Sequence, residues 1–151
     1  MIGDTVRESM PISATPEAVF DLVTDLPQIG RFSLENTGGK WIKGAHGPAI
    51  GARLKGRNRQ GRTSWSTTAT VMEYDSPRTF SFAVTYLGIK VSRWTFVIEP
   101  QEDGVTLTQS WCDERPSWFA FVTKPLVADR LDFTRQSIHH TLTSMKTFLE
   151  S

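Results

Sequence analysis

Residues 5–12 alternate in polarity, with Val6, Met10 and Ile12 on one side of the chain and Thr5, Arg7 and Ser9 on the other. This is the period of a strand covered on one face, and only Glu8 interrupts the apolar side. The period then changes. Thr15-Pro16-Glu17 supplies a hydroxyl cap, a proline suited to the first helical position and an acid favoured by the helix dipole, and Ala18, Val19, Leu22, Val23 and Leu26 follow at helical spacing. Pro27 ends that helix, because the residue before a proline is driven out of the α region. A second short helical turn is predicted over 28–32.

From Gly38 to about Pro116 the chain reads as strands and turns. Strands are predicted over 40–43, 52–59, 62–74, 79–87, 90–99 and 105–113, with turn residues between them at Asn58-Arg59-Gln60-Gly61, Asp75-Ser76-Pro77, Leu87-Gly88 and Gln101-Glu102-Asp103-Gly104. Links this short join antiparallel neighbours, so the sheet is a meander. After Pro125 the pattern becomes helical to the end of the chain, with Leu131, Ile138, Leu142, Met145 and Leu149 on one apolar stripe.

The strand faces can be assigned by parity. Phe80, Phe82, Val84 and Tyr86 share one side of their strand, as do Trp94, Phe96 and Ile98; Val105, Leu107 and Trp111; and Trp65, Ala69 and Val71. The opposite sides are rich in Ser and Thr, as in an antiparallel sheet with one face covered and one wet. Asn58, Thr67, Ser92 and Gln109 fall on the ring-bearing side, and a few polar groups on an apolar wall are the composition of a ligand pocket. The same groups also suit satisfaction by backbone or buried water, and the rings suit a filled core. Only two helices, one of them short, are available to cover six or seven strands, which leaves a hollow near the open end. The predicted wall is Leu54, Asn58, Trp65, Thr67, Phe80, Phe82, Val84, Tyr86, Trp94, Phe96, Gln109 and Trp111 from the sheet, with Ile138, Leu142 and Met145 from the terminal helix.

Length and composition narrow the classes. The 151 residues suit one domain over 1–151, and 17 Lys+Arg against 16 Asp+Glu give no global pull toward a charged partner. The single Cys112 and the lack of Cys/His clusters predict no disulfide, no metal and no cofactor, and point to a reducing, cytoplasmic setting. No signal-peptide pattern opens the chain, and no run reaches the roughly 18 apolar residues of a membrane span. Five Trp and nine Phe against two Tyr are the less ordinary feature.

Arg53, Lys55, Arg57, Arg59 and Arg62 form the one marked charge cluster, and the first four alternate onto the outer face of a strand. A solvated strand face accounts for them; the alternative is a docking ridge for an acyl carrier protein or an anionic membrane surface. Nucleic acid is not expected, because the aromatic interleaving that stacks bases is missing. Trp118, Phe119 and Phe121, in the loop 117–122, suit a lid over the cavity mouth, a membrane or dimer contact, or packing beneath the terminal helix.

The order of elements resembles the helix-grip fold of the START and birch-pollen-allergen superfamily, and within it the bacterial polyketide cyclase/dehydrase group. The resemblance rests on Ile12-Ser13-Ala14-Thr15-Pro16-Glu17-Ala18-Val19-Phe20-Asp21-Leu22-Val23-Thr24-Asp25, the 51–59 strand, Trp65, the 71–78 turn and Leu107-Thr108-Gln109-Ser110-Trp111. It implies an α+β domain in which a seven-stranded curved antiparallel sheet wraps a long C-terminal helix, with one or two short helices after the first strand. It also implies an apolar or amphipathic small molecule, of the lipid, polyketide or terpenoid class, held in a cavity between sheet and helix. Some members of the superfamily catalyse cyclisation or dehydration there, so a polyketide cyclase/aromatase-dehydratase is the alternative.

Such catalysis needs a proton donor and acceptor facing the cavity. On the terminal helix His139 and His140 lie roughly 100° and 200° from Ile138, and His46 sits in a Gly/Pro loop, so all three are placed at the surface. Tyr86 and Arg135, the latter roughly 60° from the apolar stripe, are the remaining catalytic candidates. Asp113 and Glu73 share the inward parity but stand at strand ends, where solvent is expected.

Overall fold

A computed structural model describes residues 5–123 and 130–151. The expected start of the terminal helix just after Pro125 lies outside the described residues. Strand β1 (Thr5–Ile12) leads into helix α1 (Pro16–Thr24) and a 3-10 turn (Leu26–Arg31), followed by β2 (Asn36–Ile42), β3 (Arg53–Gln60), β4 (Thr63–Asp75), β5 (Thr79–Tyr86), β6 (Ile89–Gln101) and β7 (Gly104–Asp113). Helices α2 (Ser117–Thr123) and α3 (Arg130–Glu150) complete the chain. The seven strands form one antiparallel sheet in the order β1-β7-β6-β5-β4-β3-β2.

Local chemistry explains the entry to α1. The Thr15 hydroxyl accepts from the Ala18 N–H at 3.1 Å, and Pro16 occupies the first turn. Thr15→Ala should lower stability by about 1 kcal/mol, readable as a fall of roughly 2–4 °C in the thermal unfolding midpoint.

Three features differ from expectation. Strand β2 begins at Asn36, because Gly38 and Gly39 hide its alternation. The close approach of the next strand requires that glycine: a Cβ on Gly39 would lie 2.7 Å from both the Leu54 side chain and the Lys55 carbonyl oxygen. Residues 117–122, expected as a loop, belong to α2. A bulge in β4 at Met72 shifts the parity beyond Val71, so Glu73 pairs with Ser81 on the outer face and accepts its hydroxyl at 3.2 Å. Glu73 therefore does not face inward. A second irregularity lies between Val84 and Thr85; bulges of this kind bend and twist a sheet.

The β5–β6 turn has just two residues, Leu87 (φ 50°) and Gly88 (φ 80°), between the paired Tyr86 and Ile89. Two-residue hairpins with positive φ at both positions favour Asn-Gly. A leucine held there costs roughly 1–2 kcal/mol relative to its relaxed backbone.

The concave face divides along the strands. At the α1 end Phe20, Phe80, Ile98, Leu107, Leu142 and Met145 are wholly buried in one core, with the Phe20 and Phe80 rings each in a T-shaped contact with Tyr74. At the other end, under the β3–β4 and β5–β6 hairpins, the space between sheet and α3 is open.

Candidate functional site

That open space is a cavity of about 270 Å³. Strand β3 contributes Leu54 and Asn58; β4 contributes Trp65, Thr67 and Ala69; β5 contributes Phe82, Val84 and Tyr86. Strands β6 and β7 add Ser92, Trp94, Phe96, Gln109 and Trp111, and the 3-10 turn closes one side with Leu26 and Ile29. All these strand positions share the concave face, which is why parity brings them together.

The helix side is different from expectation. Ile138, Leu142 and Met145 are fully buried but do not line the cavity: α3 lies along β1 and β7, and its apolar stripe is absorbed into the core there. The cavity instead meets Arg130, Ser137 and Thr141. Taking Ile138 as zero, Thr134, Thr141, Arg130 and Ser137 fall roughly 40° to 100° to one side of it. A polar stripe thus runs beside the apolar one, and its spacing was there to be found in the sequence. Phe80, also expected on the wall, belongs to the core because it sits two residues nearer the packed end than Phe82.

Arg135 is exposed on the outer side of α3, in a shallow dent with His139 and His140, so it does not meet Tyr86. His139 bonds Glu8 at 2.8 Å, and His46 is exposed. The outer-face cations Arg53, Lys55, Arg57 and Arg59 are exposed along β3.

Two ion pairs border the cavity mouth. Asp113, expected in solvent, is only 1% exposed and is gripped by Arg115: Nε donates to Oδ1 at 3.0 Å and Nη2 to Oδ2 at 2.8 Å, while the Arg115 backbone N–H donates to Oδ1 at 3.0 Å. Burial pushes the Asp113 carboxyl up, but the Arg115 side-chain and backbone bonds outweigh it and hold the group below its ordinary value. The partner that keeps it charged lies two residues beyond it. Across the mouth Arg130 at the start of α3 pairs with Glu35, tying the helix to the chain before β2. Tyr86 rests against Phe119 of α2, ring centroids 6.1 Å apart.

Of the polar groups expected inward, Asn58 and Thr67 satisfy each other, Nδ2 donating to Oγ1 at 2.9 Å. Gln109 is 5% exposed and its Oε1 has no hydrogen-bond partner among the described residues. Ser92, Ser137 and Thr141 are buried around the same cavity. Among the described residues no group of three His, Cys, Asp or Glu is placed to hold a metal ion, and no helix is long and apolar enough to cross a membrane.

Several known proteins share this architecture. A polyketide-cyclase-like protein of Corynebacterium glutamicum is 26% identical, with 97% of this chain and 91% of that one covered and a TM-score of 0.60. A Thermus thermophilus protein superposes with a TM-score of 0.72 at 17% identity over 95% of each chain. The ginseng major latex-like protein 151 of Panax ginseng reaches 0.71 at 10% identity over 99% of each. No curated protein matches by sequence. The family model described as polyketide cyclase / dehydrase and lipid transport matches residues 4–146. With the helix-grip architecture in place, that match over nearly the whole length shows that the chain belongs to the polyketide cyclase/dehydrase and lipid transport family.

Proposed function

We propose that the cavity binds an apolar small molecule carrying a hydrogen-bond donor, within the range of lipids, polyketides and terpenoids. The Gln109 amide carries this reading. A buried acceptor without a partner costs stability, and Gln109 stands on a wall of Trp, Phe and Leu where a ligand hydroxyl or N–H would satisfy it. Buried hydroxyls of Ser92, Ser137 and Thr141 give that polar group further partners. Family membership and fold support a hydrophobic-ligand or cyclase-like role at the coarser level. Holding is favoured over proton transfer because the carboxylates bordering the cavity, Asp113 and Glu35, are each engaged by an arginine.

The test compares 2-naphthol with 2-methylnaphthalene, probes of similar shape that differ in the donor. The wild-type protein should bind 2-naphthol up to about tenfold more tightly, the effect of one net hydrogen bond. Gln109→Leu should erase that preference while leaving thermal stability equal or higher, since it removes an unsatisfied buried group. Equal binding of both probes by the wild type, or a preference that survives Gln109→Leu, rejects the reading.

A further inference from the structure

The two ends of the molecule differ in charge and in exposed apolar surface. At the packed end α1 and the β6–β7 turn expose Glu17, Asp21, Glu99, Glu102 and Asp103, and Asp75 of the β4–β5 turn is paired with Arg78. At the hollow end the β3–β4 and β5–β6 tips expose Arg59, Arg62 and Lys90, and neither tip contains an acid. Asp113 and Glu35 are neutralised by their arginines, which leaves Glu114 and Asp132 as the other carboxylates of that region among the described residues.

Large apolar side chains are exposed on the same end. Leu87 is 84% exposed, Phe121 79%, Val122 62% and Trp118 59%. They come from two elements brought side by side: the Glu114 N–H donates to the Val91 carbonyl at 3.0 Å, Tyr86 packs on Phe119, and Trp118 stands edge-on to Phe119 at 5.8 Å. Tyr86, Val91, Arg115 and Phe119 also line the cavity, so the patch frames its mouth. Single exposed hydrophobes are ordinary. Leu87 is not ordinary. It holds a left-handed backbone that Asn or Gly would adopt with less strain, and at 84% exposure its side chain repays little of that strain within the chain.

We propose that the hollow end is a docking surface for a lipid bilayer bearing anionic head groups. Leu87, Trp118, Phe121 and Val122 enter the boundary between head groups and acyl chains, and Arg59, Arg62 and Lys90 meet the phosphates. Apolar side chains flanked by cations are what an anionic interface attracts, through buried apolar area and charge together. The acidic packed end then points away from the negative surface. A bilayer is favoured over a protein because the patch surrounds the opening of an apolar cavity, where a lipid phase is continuous with what the cavity accepts.

Flotation of the full chain with phosphatidylcholine vesicles, and with vesicles that also contain phosphatidylglycerol, tests this. Binding to the anionic vesicles should be at least about tenfold tighter and should weaken as salt rises. Leu87→Asn and Phe121→Ser together should reduce it by at least about tenfold, the expected loss for two exposed apolar anchors. Leu87→Asn should also leave the fold intact, because asparagine suits the turn. A cavity-filling Ala69→Phe protein should bind vesicles as the wild type does, so failure of ligand binding and failure of docking are separable. No binding to either vesicle, equal binding to both, or binding unchanged by the two substitutions overturns the proposal. So does self-association that the same substitutions abolish.

Discussion

Arg115→Ala is expected to destabilise the protein by about 3 kcal/mol, because it removes the guanidinium that compensates a buried carboxylate. The thermal midpoint should then fall by roughly 10 °C for a chain of this size. Both Asp113 oxygens are held by the guanidinium, and the carboxylate has almost no solvent of its own. The pH dependence identifies the cause. In the wild type the folded carboxyl lies below its unfolded value near 3.8, so its contribution is complete above that value and is lost as pH falls through the folded one. In Arg115→Ala burial acts without the guanidinium that opposes it, and the folded value rises relative to the wild type. Protonation then reaches the variant before the wild type on acidification, so the gap between them should be widest near neutral pH and shrink as pH falls through the carboxylate range. Urea titrations of both proteins across that range check it, and a gap independent of pH would show that Arg115 acts through packing alone.

Ala69→Phe should lower affinity for 2-naphthol by more than about 100-fold, since a second ring occupies most of the apolar area the probe would bury. Ala69 pairs with Leu54 and Val84, both on the cavity wall, and the added ring enters open space. Stability should change by less than about 1 kcal/mol. The same enlargement at Val71, two residues along β4, meets the filled core: Val71 is buried and does not line the cavity. Val71→Phe should cost about 1–3 kcal/mol and leave probe binding within a few fold. Binding titrations and unfolding midpoints of the pair locate the border between core and hollow.

The sheet was legible because alternation is a local, two-state signal. Trp65, Phe82, Trp94, Gln109 and Trp111 take their concave side from parity alone, whatever the distant parts of the chain do. Position along the strand is not encoded in this way. Phe80 and Phe82 have the same residue type and the same face, yet one packs on Phe20 in the core while the other lines the cavity. The arrival of α1 over one end decides between them. Ile138, Leu142 and Met145 were misplaced for a related reason: an apolar stripe marks a buried helix face but does not say whether a core or a cavity lies beneath it. The Ser137 and Thr141 stripe needed hydroxyls to be counted as inward residues. Glu73 is exposed as expected at a strand end, but a single bulge reverses its parity; Asp113 escaped because its partner lies beyond the strand that carries it.

The division of the concave side into a filled half and an empty half separates two evolutionary pressures that most small domains must satisfy with the same residues. Foldability is secured around Phe20, Phe80, Leu107 and Met145, none of which a cavity-bound molecule would touch. Residues such as Ala69, Val84 and Trp94 line the empty half, so their bulk sets the room left in it. Changes of bulk at those positions would reshape the empty half one residue at a time, without touching Phe20 or Phe80.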